Sequence, residues 1–258
     1  MSGLRPPPFK RVVMWTPALG RFWRKMILRN INMDLPYVID ETKTHLTPEE
    51  TRQDYELNWK WKRRDFYLMN RCMMAMVSRL MPRIVTEKCW QITIECVEKS
   101  PKEDFLIVGG DCEVQVLFDL PRFQDMSSLE RKQYAIEKTR EALNKLLPSI
   151  DVTEVLEACD KVVSSGYENV WFWKKPKKKN NLSVQLKVVH EADFINFYMV
   201  FKDSKTKKTE EHFLVKDEPS EWVFTNYFGS LDWIDDTTAK LTTKDGKEFI
   251  ETYNMVKL

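Results

Sequence analysis

The sequence predicts an α+β protein: an N-terminal helix with a small antiparallel sheet and two further helices, followed by a C-terminal antiparallel β-meander. Three observations predict it. Helical periodicity runs over 47–80 and returns over 127–166, period-two alternation marks 90–96 and 112–118, and from Tyr167 onward short alternating runs are separated by turn residues with no helical period. Helices grouped after a strand cluster, rather than alternating singly with strands, argue against a doubly wound parallel sheet.

Thr47, Pro48 and Glu50 form a helix start, with a capping hydroxyl, a proline at the first helical position and a glutamate three residues after the cap. Tyr55, Trp59, Phe66, Met69, Met73, Met76, Val77 and Leu80 then follow one helical stripe that stops before Pro82. The run Met69, Cys72, Met73, Met74, Met76 and Met81 has the chemistry of a deformable groove, but methionines at helical spacing beside leucine and valine read better as core. On the opposite face Lys60, Lys62, Arg63 and Arg64 interleave with Trp59, Trp61 and Phe66, a pattern that single-stranded nucleic acid can use and that a solvated helix face explains more simply.

Trp90, Ile92, Ile94 and Cys96 make one half-buried strand, and Cys112, Val114, Val116 and Phe118 another. Residues 105–108 form a third, turning through Gly109 and Gly110. Ser127 with Glu130 and Asp151 with Glu154 start two helices, which end near Pro148 and Gly166. The meander strands are expected near 169–174, 182–190, 194–202, 211–216, 221–228, 238–243 and 248–254. Residues 1–33 read as a basic leader or disordered tail, 34–166 as an α+β region and 167–258 as the meander region, either packed with the preceding region as one domain or standing apart.

The 258 residues, 43% hydrophobic and 31% charged, suffice for a self-supporting core and place the chain among globular proteins. The net charge of +2 conceals an acid-free start, where Arg5, Lys10, Arg11, Arg21, Arg24, Lys25 and Arg29 all precede residue 30. Setting those seven aside from the 41 basic residues leaves 34 against 39 acids, so the body is mildly acidic and lacks a whole-protein nucleic-acid footprint. The first 25 residues faintly resemble a signal or transit peptide in composition, although Pro17 and Arg21 interrupt the short apolar run; a tail, or an extension upstream of a start at Met26 or Met33, fits better.

Cys72, Cys89, Cys96, Cys112 and Cys159 are odd in number, scattered and set in apolar stretches, which points to buried free thiols in a reducing, cytoplasmic setting. No transmembrane segment is expected, because no stretch approaches the length of apolar sequence a bilayer requires. No nucleotide loop, metal-ligand spacing or nucleophile motif calls for a cofactor or a metal, and the catalytic and metal assignments are none. The best local acid–base group is His190 with Glu191 and Asp193, and the best carboxylate set for a divalent cation is Asp232, Asp235 and Asp236.

If consecutive strands pair as hairpins, their turns alternate between the two ends of the sheet. The first connection, with Lys174, Lys175, Lys177, Lys178 and Lys179 around Pro176, and the third, with Lys205, Lys207 and Lys208, then share one end. His190, Glu191, Asp193, Asp217, Glu218 and Glu221 fall at the other, while the Asp232, Asp235 and Asp236 loop returns to the lysines and partly neutralises them. Trp173, Trp222 and Trp233 stand out among the many aromatics as candidate interface anchors. The run 174–179 also resembles a nuclear-localisation run, a motif too short to be specific.

These features lead to the expectation of a non-catalytic intracellular protein-binding protein, an inhibitor or immunity-type factor that occludes an acidic partner surface through the lysines and tryptophans named above. Nucleic-acid binding through the lysine-rich hairpins is the alternative, and a metal-dependent hydrolase built on the three aspartates is the third reading.

Overall fold

The computed structural model of the chain describes residues 25–38 and 42–254. Two short strands, β1 (Met26–Leu28) and β2 (Asn30–Asp34), come first, so residues 26–33 belong to the folded body and not to a disordered tail. Ile31 and Met33 are pinned by burial against the helices, which is why this segment is ordered. The rest of the expected leader, residues 1–24, lies outside the described residues.

The helix starts where its cap places it. In α1 (Pro48–Asp54) the Thr47 hydroxyl accepts from the Glu50 amide and Glu50 Oε2 accepts from the Thr47 amide at 2.8 Å. A π-helical turn at Tyr55–Trp59 leads into α2 (Lys60–Leu80), which stops before Pro82. Phe66, Cys72, Met73, Met74, Met76 and Val77 are buried, so the methionine run is core. β3 (Ile84–Thr86) pairs with β1.

The first main sheet contains β2, β4 (Gln91–Val97), β6 (Asp111–Leu117) and β5 (Leu106–Val108), in that spatial order. Its expected antiparallel arrangement is corrected: β2, β4 and β6 are mutually parallel, and only β5 runs against β6. The Gly109–Gly110 turn forms as expected, but β5 lies at the far edge and β6 returns between it and β4. Alternation is the same in parallel and antiparallel strands when helices cover a single face, so the sequence pattern carries no direction. At Gly110, with φ of 93°, an added Cβ would meet Trp90 Cδ1 at 2.6 Å.

After α3 (Leu120–Asp125), the helices α4 (Ser128–Leu146) and α5 (Thr153–Ser164) join α2 over one face of this sheet. Ile92, Ile94, Cys112, Val114 and Val116 fill the space between the layers.

The second half begins with a four-stranded antiparallel meander of β7 (Val170–Lys179), β8 (Leu182–His190), β9 (Ile195–Asp203) and β10 (Thr209–Asp217). A separate three-stranded sheet, β11 (Ser230–Trp233), β12 (Thr238–Thr242) and β13 (Glu248–Thr252), packs against its inner face. The strand expected over 221–228 is instead helix α6 (Glu221–Phe224) followed by a 3₁₀ turn at Thr225–Tyr227. Phe224 and Tyr227, three residues apart, are the buried pair, and that helical spacing was masked by the density of aromatic residues. The two halves have separate cores and meet at a polar junction. Among the described residues, no helix is long and apolar enough to cross a membrane.

Candidate functional site

The two lysine-bearing turns do lie side by side, because the Ser204 amide and hydroxyl both donate to Asn181 O, at 2.8 and 2.9 Å. The lysine run itself is placed differently from expectation. β7 continues to Lys179, and the connection is only Asn180 and Asn181, so 174–179 forms the distal half of an edge strand rather than a loop. A bulge at 174–176 accommodates Pro176, which has no amide to offer a ladder, and puts Lys174 at φ 57°.

Strand alternation then sorts the lysines. Lys177 and Lys179 stand opposite Val184 and Leu182 on the inner side, where Lys177 pairs with Asp232 and Lys179 with Asp236 at 3.3 Å. Lys178 stands opposite Ser183 on the outer face, and the Lys174 ammonium lies 4.1 Å from the Trp173 ring centre. In the β9–β10 turn, Lys208 pairs with Glu210 at 2.5 Å. Asp203 accepts from the Thr206 hydroxyl and the Lys205 amide, both at 2.8 Å, and these bonds hold its carboxyl below the usual range. Among the described residues, Lys175, Lys178, Lys205 and Lys207 make no ion pair. A cleft of about 620 Å³ opens beside the turns, lined by Asn181, Leu182, Lys205, Lys208 and Tyr253 among others.

The candidate tryptophans separate as well. Trp173 stacks on Phe228 at 5.4 Å and 23°, and Trp233 donates to Lys177 O at 3.2 Å, so both serve packing within the C-terminal half. Trp222 is 90% exposed, but it sits on α6 at the opposite end of the sheet from the lysines.

At that opposite end four carboxylates are spent on the junction between the halves, while Asp217 accepts from the Tyr227 hydroxyl within the C-terminal half. Glu191 pairs with Lys132, Asp193 with Arg131 at 3.0 Å, Glu218 with Arg64 and Glu221 with Arg71. His190 is fully buried, and among the described residues neither ring nitrogen has a hydrogen bond of good geometry, the Pro219 carbonyl being the nearby acceptor. Burial, reinforced by Arg71, Lys132 and Arg79, lowers its pKa to about 3, and the Pro219 carbonyl only partly opposes them. Cys72 donates to His190 O at 2.8 Å, and burial pushes its thiol up to about 12. The trio therefore does not form an exposed acid–base group: His190 is buried, and Glu191 and Asp193 tie the halves together through Lys132 and Arg131.

The basic helix face is similarly engaged. Arg63 forms a two-pronged contact with Asp34 at 2.6 Å on each arm, Lys60 pairs with Glu56 at 2.8 Å, Lys62 covers the Trp59 ring at 4.6 Å, and Phe66 is buried. Asp235 caps its own loop by accepting from the Thr237 and Thr238 amides. With Asp232 and Asp236 on lysines, the three aspartates do not converge, and among the described residues no group of three or more candidate ligands is positioned to hold a metal ion. All five cysteines are buried and free.

Two surfaces were not legible in the sequence. The uncovered face of the parallel sheet is a polar grid of three cross-strand rows: Asn30, Gln91 and Asp111; Asn32, Thr93 and Glu113; Asp34, Glu95 and Gln115. It borders a cavity of about 480 Å³ in which burial, with Glu95 and Asp111 nearby, raises the Glu113 carboxyl. The outer face of the β7–β10 sheet carries aromatic side chains and lysines, and alternation marked them as paired with buried rings without saying which set faces out. No family model, curated protein or solved structure matches the chain.

Proposed function

We propose that this chain is a non-catalytic binding protein that docks an acidic protein partner on the lysine end of its C-terminal half, acting as an inhibitor or immunity-type factor that occludes an acidic surface. The asymmetry between the ends of the β7–β10 sheet carries the reading. Glu191, Asp193, Glu218 and Glu221 at the acidic end are neutralised by cations of α2 and α4, whereas among the described residues Lys175, Lys178, Lys205 and Lys207 at the far end have no carboxylate partner. Unpaired ammonium groups on a rigid hairpin end raise the encounter rate with an acidic surface and lose that advantage as salt screens them. The buried free thiols support a cytoplasmic setting.

Tandem affinity purification from native cells tests the reading. A stoichiometric protein partner is expected with the wild-type chain and is expected to be lost with the triple charge reversal Lys175→Glu, Lys205→Glu and Lys207→Glu. Recovery of no such partner, or undiminished recovery by the triple variant, counts against it.

A further inference from the structure

The outer face of the β7–β10 sheet consists of cross-strand rows. Phe172, Lys187, Tyr198 and Phe213 stand in register across all four strands, one residue from each. With neighbouring strands about 4.8 Å apart, the row spans roughly 14 Å. A second row contains Lys178, Ser183, Lys202 and Thr209, and a third contains Val170, Val189, Asn196 and Lys216. Between the first two rows, Glu211 stands in register with Val200 and Gln185; it is the acid among the outward strand positions described, set against Lys178, Lys187, Lys202 and Lys216, and it pairs with Lys187 at 2.7 Å.

The rings do not belong to either core. Phe172 and Phe213 are 40% and 55% exposed, while Phe197 and Phe201 on the opposite face of the same sheet are completely buried. Two of the three rings have a cation beside them: Lys202 Nζ lies 5.4 Å from the Phe172 centre and Lys187 Nζ 5.4 Å from that of Tyr198. Tyr198 meets Phe213 edge-on at 5.6 Å.

From this arrangement we infer that the outer sheet face binds single-stranded nucleic acid, with unpaired bases stacking on Phe172, Tyr198 and Phe213 and phosphates drawn to Lys178, Lys187 and Lys202. A net positive face calls for an anionic occupant. Aromatic rings flanked by ammonium groups match alternating bases and phosphates better than scattered carboxylates do. The face is a sheet surface that offers no helix or ribbon to enter a groove, and its rings can stack only on bases that are not already paired, which selects a single strand over a duplex. The surface shares only Lys178 with the hairpin end invoked for the protein partner, and neither the ring variants nor the Lys187 and Lys202 variant touches that end, so either reading can fail while the other stands.

Fluorescence polarisation of a labelled oligodeoxythymidylate of about 15 residues, titrated with the full chain, tests the inference. Saturable binding is expected, with Phe172→Ala and Tyr198→Ala each weakening it about 5- to 150-fold. Phe172→Trp should retain affinity. The double variant Lys187→Ala and Lys202→Ala should reduce the log–log salt slope by about 1.4. No saturable binding, alanine variants that bind like wild type, or equal affinity for a duplex would overturn it. Ring-dependent binding of polyglutamate without binding of the oligonucleotide would assign the face to acidic proteins and overturn it too.

Discussion

His190 makes the stability of this protein depend on pH in a defined window. Its ring faces Arg71 and Arg79 from α2, Lys132 from α4, Trp171 from β7 and Phe224 from α6, with the Pro219 carbonyl favouring protonation. The ordinary value of 6.5 falls to about 3 in the folded state. Between those values the unfolded chain holds a proton that the native chain rejects, so stability is lost as pH falls below 6.5 and is untouched by this group above it. At a cost of about 1.4 kcal/mol per pH unit, acidification to about pH 5 removes roughly 2 kcal/mol through His190 alone. Urea unfolding at about pH 7.5 and pH 5, in wild type and in His190→Phe, measures it; carboxylate contributions common to both proteins cancel in the comparison. The variant should lose about 2 kcal/mol less than wild type on acidification. Equal losses, or a His190 resonance titrating near 6.5 by NMR, would refute the reasoning.

Further outcomes follow from packing. Gly229→Ala would place a Cβ 2.1 Å from Thr242 O and 2.8 Å from Thr243 C, both backbone atoms at the end of β12, so β11 and β12 must separate. A loss of at least about 2 kcal/mol in urea unfolding is expected, and wild-type stability would contradict the contact. Ile94→Ala, at a fully buried position between the parallel sheet and its helices, should cost about 2–5 kcal/mol by the same assay, whereas a cost under about 1 kcal/mol would mean that the layers are not packed there. The five thiols should resist a disulfide reagent in the native protein and titrate together after denaturation; rapid native labelling would contradict their burial.

Much of the local structure was legible because its causes lie within a few residues. The capping boxes at Thr47 with Glu50 and Ser127 with Glu130 close as expected. Asp151 accepts from the Thr153 amide at 3.1 Å at the start of α5, although the cap residue is Val152. The Gly109–Gly110 hairpin and the burial of the methionine stripe also follow from local pattern. The helical turn at Glu221–Phe224 did not, because the consecutive apolar residues Trp222, Val223 and Phe224 fit either period. The candidate site was only half legible: the shared end of the two turns follows from strand parity, but whether a lysine is free depends on the other sheet layer, which takes Lys177 and Lys179 and leaves Lys178.

The sequence by itself determined the capping boxes at Thr47 and Ser127, the Gly109–Gly110 turn and the alternation of the strands, since each depends on neighbours along the chain. Tertiary structure decided the direction of β4 relative to β6, the consumption of the acidic end by α2 and α4, and the choice of Phe172, Tyr198 and Phe213 as the outward rings. Those outcomes depend on contacts between residues far apart in the chain, where burial and charge pairing select among arrangements that the local pattern leaves equivalent.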